Sequence, residues 1–92
     1  TNMDAHIGKA IAYRILKQYS ESIQSINEAL KIEDDNEEAL YTKGGCLGAA
    51  GDYEEAINVY MKFIEKFPNS DDIDEALNVV ETVANARTAP VM

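Results

Sequence analysis

The side chains that could do chemistry in this chain are few, and none forms a catalytic grouping. General acid–base work most often enlists His, and there is one His, His6. The one Cys, Cys46, falls inside an apolar helical segment and reads as a small buried hydrophobe rather than a nucleophile. Two acidic clusters invite a metal, Asp34-Asp35-Asn36-Glu37-Glu38 and Asp71-Asp72-Ile73-Asp74-Glu75. Neither has the alternating ligands, central Gly and terminal Glu of a calcium loop, and both stand where helix caps belong. Gly44-Gly45 is not followed by the Lys and Ser or Thr of a phosphate-binding loop. Lys9 and Lys43 read as side chains whose stems lie along a helix pair with their ammonium groups in water. The sequence therefore implies no catalytic residue, no cofactor and no metal.

The charge balance narrows the partners. With 17 acidic and 8 basic residues the 92-residue chain carries a formal charge of −9. That field repels phosphate backbones and anionic lipid headgroups, so nucleic acid and membranes are not expected partners. A lone Cys excludes an intrachain disulfide, and no apolar run is long enough to span a bilayer. Both fit a cytoplasmic location, with a periplasmic or exported one as the alternative.

The elements that must position any functional surface are helices. Apolar content is 46%, with five Gly, two Pro and no Trp, a composition that favours an all-α chain. The residues also repeat: Tyr19 and Tyr53, Glu21 and Glu55, and Ile23 and Ile57 all stand 34 residues apart, as do Lys9 and Lys43, and Leu30 and Ile64. Within a unit, Leu40, Gly44 and Leu47 form one helical stripe, and Ala56, Ile57, Tyr60 and Ile64 form another after the Gly51-Asp52 break. Each unit is thus a helical hairpin. Capping boxes are expected at Asp52 with Glu55 and at Asp35 with Glu38, and Pro68-Asn69-Ser70 separates the fourth helix from a fifth. The spacing predicts helices over residues 3–17, 19–32, 37–50, 53–66 and 71–88. The fifth buries one face through Ile73, Ala76, Leu77, Val80 and Ala84.

A 34-residue helical hairpin with small and large residues at fixed places resembles the tetratricopeptide repeat family. Leu40, Gly44, Leu47, Gly51, Tyr53, Ala56, Tyr60 and Pro68 occupy that family's signature places in the second unit, residues 37–70. The first unit, residues 3–36, is degenerate, with His6 for Trp, Lys17 for the turn Gly, Ser22 for Ala and Asp34 for Pro. Residues 71–88 depart from the pattern at Asp74, Asn78 and Glu81 and read as a capping helix, followed by a tail over residues 89–92. The resemblance implies a right-handed α-solenoid of two hairpins and a cap. Two repeats are fewer than the roughly three such arrays usually need, which points to truncation or self-association.

The resemblance also implies a function, a protein–protein interaction module that is not an enzyme, because the family's first helices line a concave groove. Beside the core stripe of the third helix, Tyr41, Gly45 and Gly48 form a second stripe, with Ile7, Ile11 and Arg14 in phase on the first helix. These six are the candidate groove residues. The partner is a protein segment, a peptide or helix, apolar with basic flanks. Some family members clamp acidic chaperone tails with Lys, Asn and Arg. The corresponding places here hold Ile7, Ile11, Thr42, Asp72 and Ala76, so such a tail is not expected. The competing readings are a structural self-assembly element and a regulatory subdomain of a larger multi-repeat protein.

Overall fold

The computed structural model describes residues 2–88, and the expected tail at 89–92 lies outside them. The described chain runs through α1 (Asn2–Ile15), α2 (Tyr19–Ile32), α3 (Glu37–Ala50), α4 (Tyr53–Lys66) and α5 (Ile73–Thr88). The architecture is all-α among the described residues, as the spacing predicts. Antiparallel hairpins α1–α2 and α3–α4 stack through α2 against α3 and α1 against α3, and α5 packs on α4. The layers form a slab with extents of 48 × 30 × 18 Å.

The turn inside each hairpin is the same device used twice. After α1, Lys17 adopts φ 62. Its N–H donates to the Arg14 carbonyl (2.9 Å), and the Gln18 N–H donates to the Tyr13 carbonyl (2.8 Å). After α3, Gly51 adopts φ 88, with its N–H on the Gly48 carbonyl (3.1 Å) and the Asp52 N–H on the Leu47 carbonyl (2.9 Å). This is a left-handed helix terminus that satisfies the last carbonyls. Gly suits the conformation and Lys is strained in it, because its Cβ crowds the following carbonyl.

The helix starts differ from expectation. Asn36, not Asp35, caps α3, its Oδ1 accepting from the Ala39 N–H at 2.8 Å. Asp35 instead faces α4, with Lys62 at 3.9 Å and Lys66 at 3.7 Å. Asp52 makes no side-chain cap bond to α4; its ψ of 67 departs from the extended backbone that carries a capping oxygen onto the next N–H groups. α5 begins at Ile73 rather than Asp71, because Ser70 holds a turn first, its Oγ accepting from the Asp72 N–H at 3.1 Å.

The core is built from small contacts between helices and a few large side chains. Met3, Ile7, Ala10, Ile26, Ala29, Ala39 and Cys46 join α1, α2 and α3; Leu40, Tyr60, Phe63 and Ala76 join α3, α4 and α5. Phe63 and Cys46 are both fully buried. Ser22 holds the place of Ala56 in the other unit, and its Oγ lies 2.7 Å from the Ala10 carbonyl and 2.9 Å from Cys46 Sγ. A carbonyl can only accept, so the single hydroxyl proton goes to Ala10 and the thiol proton to Ser22. Cys46 is thereby a packed structural residue. His6 takes the place of Leu40, and its Nδ1 is buried with no hydrogen-bond partner among the described residues. On α5 the buried stripe runs through Ile73, Ala76, Val79 and Val80. Leu77, expected on that face, is 47% exposed, because it lies one step round the helix toward the side that no described helix covers. Among the described residues no helix is long and apolar enough to cross a membrane.

Candidate functional site

The six candidate groove residues fall into three groups. Ile7 is only 3% exposed in the α1–α2–α3 core, so it supports the surface from behind and offers no face to a partner. Ile11 is half-buried and packs on the same core. The remaining four lie on or beside the face made by α1 and α3.

Arg14, in the last turn of α1, reaches across to α3. Its guanidinium lies where a Cβ on Gly45 would stand, with the Tyr60 hydroxyl 3.7 Å from the same point. The bare backbone at Gly45 is therefore a seat for Arg14 rather than an open landing place. One helical turn on, nothing lies within 4 Å of the Cβ position at Gly48, and that surface is open. Gly44 serves packing: a Cβ there would meet the Tyr60 ring at 2.7 to 2.8 Å.

Tyr41 is half-buried and ties the face to the core. Its ring sits edge-on to Tyr60 (centroids 5.9 Å, 66°) and tilted on Phe63 (5.4 Å, 38°), geometries that aromatic quadrupoles favour. Burial first, then hydrogen bonding to and the charge of the Glu75 carboxylate on α5, raise the Tyr41 phenol pKa well above the ordinary range. Burial and the same carboxylate also raise that of Tyr60, while the Arg14 cation opposes them. The face thus carries an Arg at one end, a carboxylate at the other and two protonated phenols between. Such a set can orient a polypeptide through hydrogen bonds and charge.

Tyr60 and Glu75 were not among the sequence candidates. Tyr60 was visible only as a packing residue. Nothing in the 34-residue pattern marks Glu75, because α5 leaves that pattern. A separate recess at the α3–α4 turn has Ile23 and Leu47 in its lining and is rimmed by Lys43, Asp52 and Glu55. Among the described residues no group of three His, Cys, Asp or Glu side chains is placed to hold a metal ion.

Helical hairpins related by a fixed 34-residue step, with matching turns, define a helical-repeat scaffold of the solenoid class. Comparison with known proteins makes this particular. Family models of the tetratricopeptide repeat match residues 4–36 and 38–70. The chain belongs to the tetratricopeptide repeat family. Human peptidyl-prolyl cis-trans isomerase FKBP4 is 30% identical over 66 residues, covering 72% of this chain and 14% of that protein. The DnaJ homolog subfamily C member 3 homolog of Dictyostelium discoideum is 34% identical over 62 residues, covering 67% of this chain and 12% of that protein. The chain thus spans 12–14% of the length of these curated relatives. Repeats of this family are interaction folds, and the chain fits a protein-interaction module.

Proposed function

We propose that this chain is a non-catalytic adaptor whose α1–α3 face takes a peptide or helix supplied by another protein. We read residues 3–36 and 37–70 as its two repeats and 71–88 as the cap that completes the face with Glu75. The observation that carries the proposal is Arg14 laid over Gly45, with Tyr41 and Glu75 continuing the same surface. A helix interior that gives up a Cβ at Gly45 and again at Gly48 sacrifices about 1 kcal/mol each. The Tyr60 ring calls for Gly44 and the Arg14 guanidinium occupies the Cβ place at Gly45, which leaves Gly48 as the open position.

The binding residues are Ile11, Arg14, Tyr41, Gly45 and Gly48, with Ile7 behind them. Arg14 takes a carbonyl or carboxylate of the ligand, and Gly48 admits its backbone or a bulky side chain. Glu75, with the acidic field of the chain, favours basic flanks. An acidic tail is not the expected ligand, since Ile7, Thr42 and Ala76, at clamp places, are buried and carry no cation.

Peptides selected on the wild-type protein from a random library test this. The account expects an apolar core with basic flanks, and binding at least tenfold weaker to Arg14→Ala. A charge-assisted hydrogen bond is worth about 1.5–3 kcal/mol, and about 1.4 is tenfold. Selected peptides that bind Arg14→Ala and Tyr41→Ala as tightly as wild type would refute the proposal.

A further inference from the structure

The repeat step of 34 residues contains its own control for a second surface. Asn27 and Lys43 line the recess left open between α2, α3 and the start of α4. One step on, the groove between α4 and α5 presents Met61, Ile64, Leu77 and Val80. Here Asn27 has become Met61 and Lys43 has become Leu77, and no described helix closes this groove either. Met61 stays 56% and Leu77 47% exposed. Both places are open, and where the first carries polar side chains the second carries apolar ones, which is not what a solvent-facing end requires. The opposite edge of α5 is polar: Asp74, Asn78 and Glu81 stand where Leu40, Gly44 and Leu47 receive α4. With Glu65 on the α4 side, three carboxylates flank the apolar strip, and the cation among its described lining residues is Lys62.

We infer that the α4–α5 groove is a second docking site, distinct from the α1–α3 face, for an amphipathic helix of another polypeptide with a narrow apolar stripe flanked by Lys or Arg. A helix fits because the strip lies in a groove between two helices, which an amphipathic helix fills with a single apolar face. Its apolar stripe meets Met61 and Leu77, and its basic flank meets Asp74 and Glu81. A second copy of this chain is disfavoured as occupant, since pairing two such grooves sets Glu65, Asp74 and Glu81 against their own like charges.

The probe is a fluorescein-labelled 14-residue helical peptide with Leu at i, i+3, i+4 and i+7, Lys at the flanking positions, and blocked ends. A second peptide replaces each Lys with Glu. Anisotropy titrations use wild type, the double variant Met61→Gln/Leu77→Gln and the α1–α3 face variant Arg14→Gln, with circular dichroism confirming fold. The inference expects saturable binding of the Lys peptide, at least tenfold weaker for the double variant and for the Glu peptide, and undiminished for Arg14→Gln. No binding to wild type, or equal binding to the double variant, overturns it. So does a wild-type dimer in light scattering that the double variant dissolves, since the occupant is then a second copy. Loss in Arg14→Gln alone assigns the peptide to the α1–α3 face and also overturns it.

Discussion

Two glycines one turn apart on α3 separate packing from exposure, and replacing each with Ala gives opposite signs. At Gly48 nothing lies within 4 Å of the new Cβ. Gly48→Ala therefore collects the helix-propensity gain of about 1 kcal/mol, which raises Tm by roughly 4–8 °C in a domain this size. At Gly44 the same gain is offset. The Cβ would stand 2.7 to 2.8 Å from three atoms of the Tyr60 ring, against an optimum of about 3.5–4.0 Å between carbons. The ring must retreat by about 1 Å, and it cannot do so freely. Tyr60 is 6% exposed, with Tyr41 edge-on to it, and it packs with Phe63, which is 0% exposed. Forcing a methyl into such a core costs about 1–3 kcal/mol, so Gly44→Ala is neutral to destabilising by up to about 2 kcal/mol. Thermal and urea unfolding followed at 222 nm should place Gly44→Ala below Gly48→Ala by at least about 1 kcal/mol. In a Tyr60→Leu background the Gly44→Ala cost should shrink or change sign, since the ring that opposed it is gone. Equal stabilisation by both substitutions would mean that Tyr60 does not occupy the site, and the argument would fail.

Other predictions follow from single residues. Lys17→Gly should stabilise the protein by about 0.5–1 kcal/mol by removing a Cβ from a left-handed backbone, whereas Gly51→Ala should destabilise it; a lower urea midpoint for Lys17→Gly contradicts the shared turn geometry. His6→Leu should raise stability by about 1–2 kcal/mol, because it replaces a buried unpaired nitrogen with the residue type the second unit uses at that place; a loss in urea unfolding would mean that the imidazole has a partner. Tyr41 is protonated to higher pH when folded than when unfolded, so its contribution is fully present below about pH 10, the unfolded value, and is lost as pH rises toward the folded one. Stability measured from pH 9 to 11.5 should fall less steeply in Tyr41→Phe, and an identical slope would refute that assignment.

Much of the fold was legible because it rests on local rules repeated once. The 3.6-residue apolar period, the Gly51 turn and the 34-residue echo located the helices, and α2, α3 and α4 occupy the predicted spans. Features set by backbone angle or by reach were not legible. Asp52 has the residue type of a cap, but its ψ leaves it without a cap bond, whereas Asn36 has both the type and the extended backbone. Ile7 and Ile11 both fit an apolar stripe, and only the way α1 meets α2 and α3 makes one core and the other half-exposed. Arg14 over Gly45 is a contact between helices made by a long side chain, which no spacing rule encodes. Leu77 and Val79 are two steps apart on α5, and where α4 lies decides which is covered.

The α1–α3 docking surface is tested most directly by amide spectra of nitrogen-15-labelled protein during titration with a library-selected peptide. Glycine amides resolve well, so Gly45 and Gly48 report on the face without ambiguity. The account predicts that these two amides and the Arg14 side-chain signal shift together and saturate at one affinity. Unmoved Gly45 and Gly48, with all changes confined to other surfaces, would contradict it.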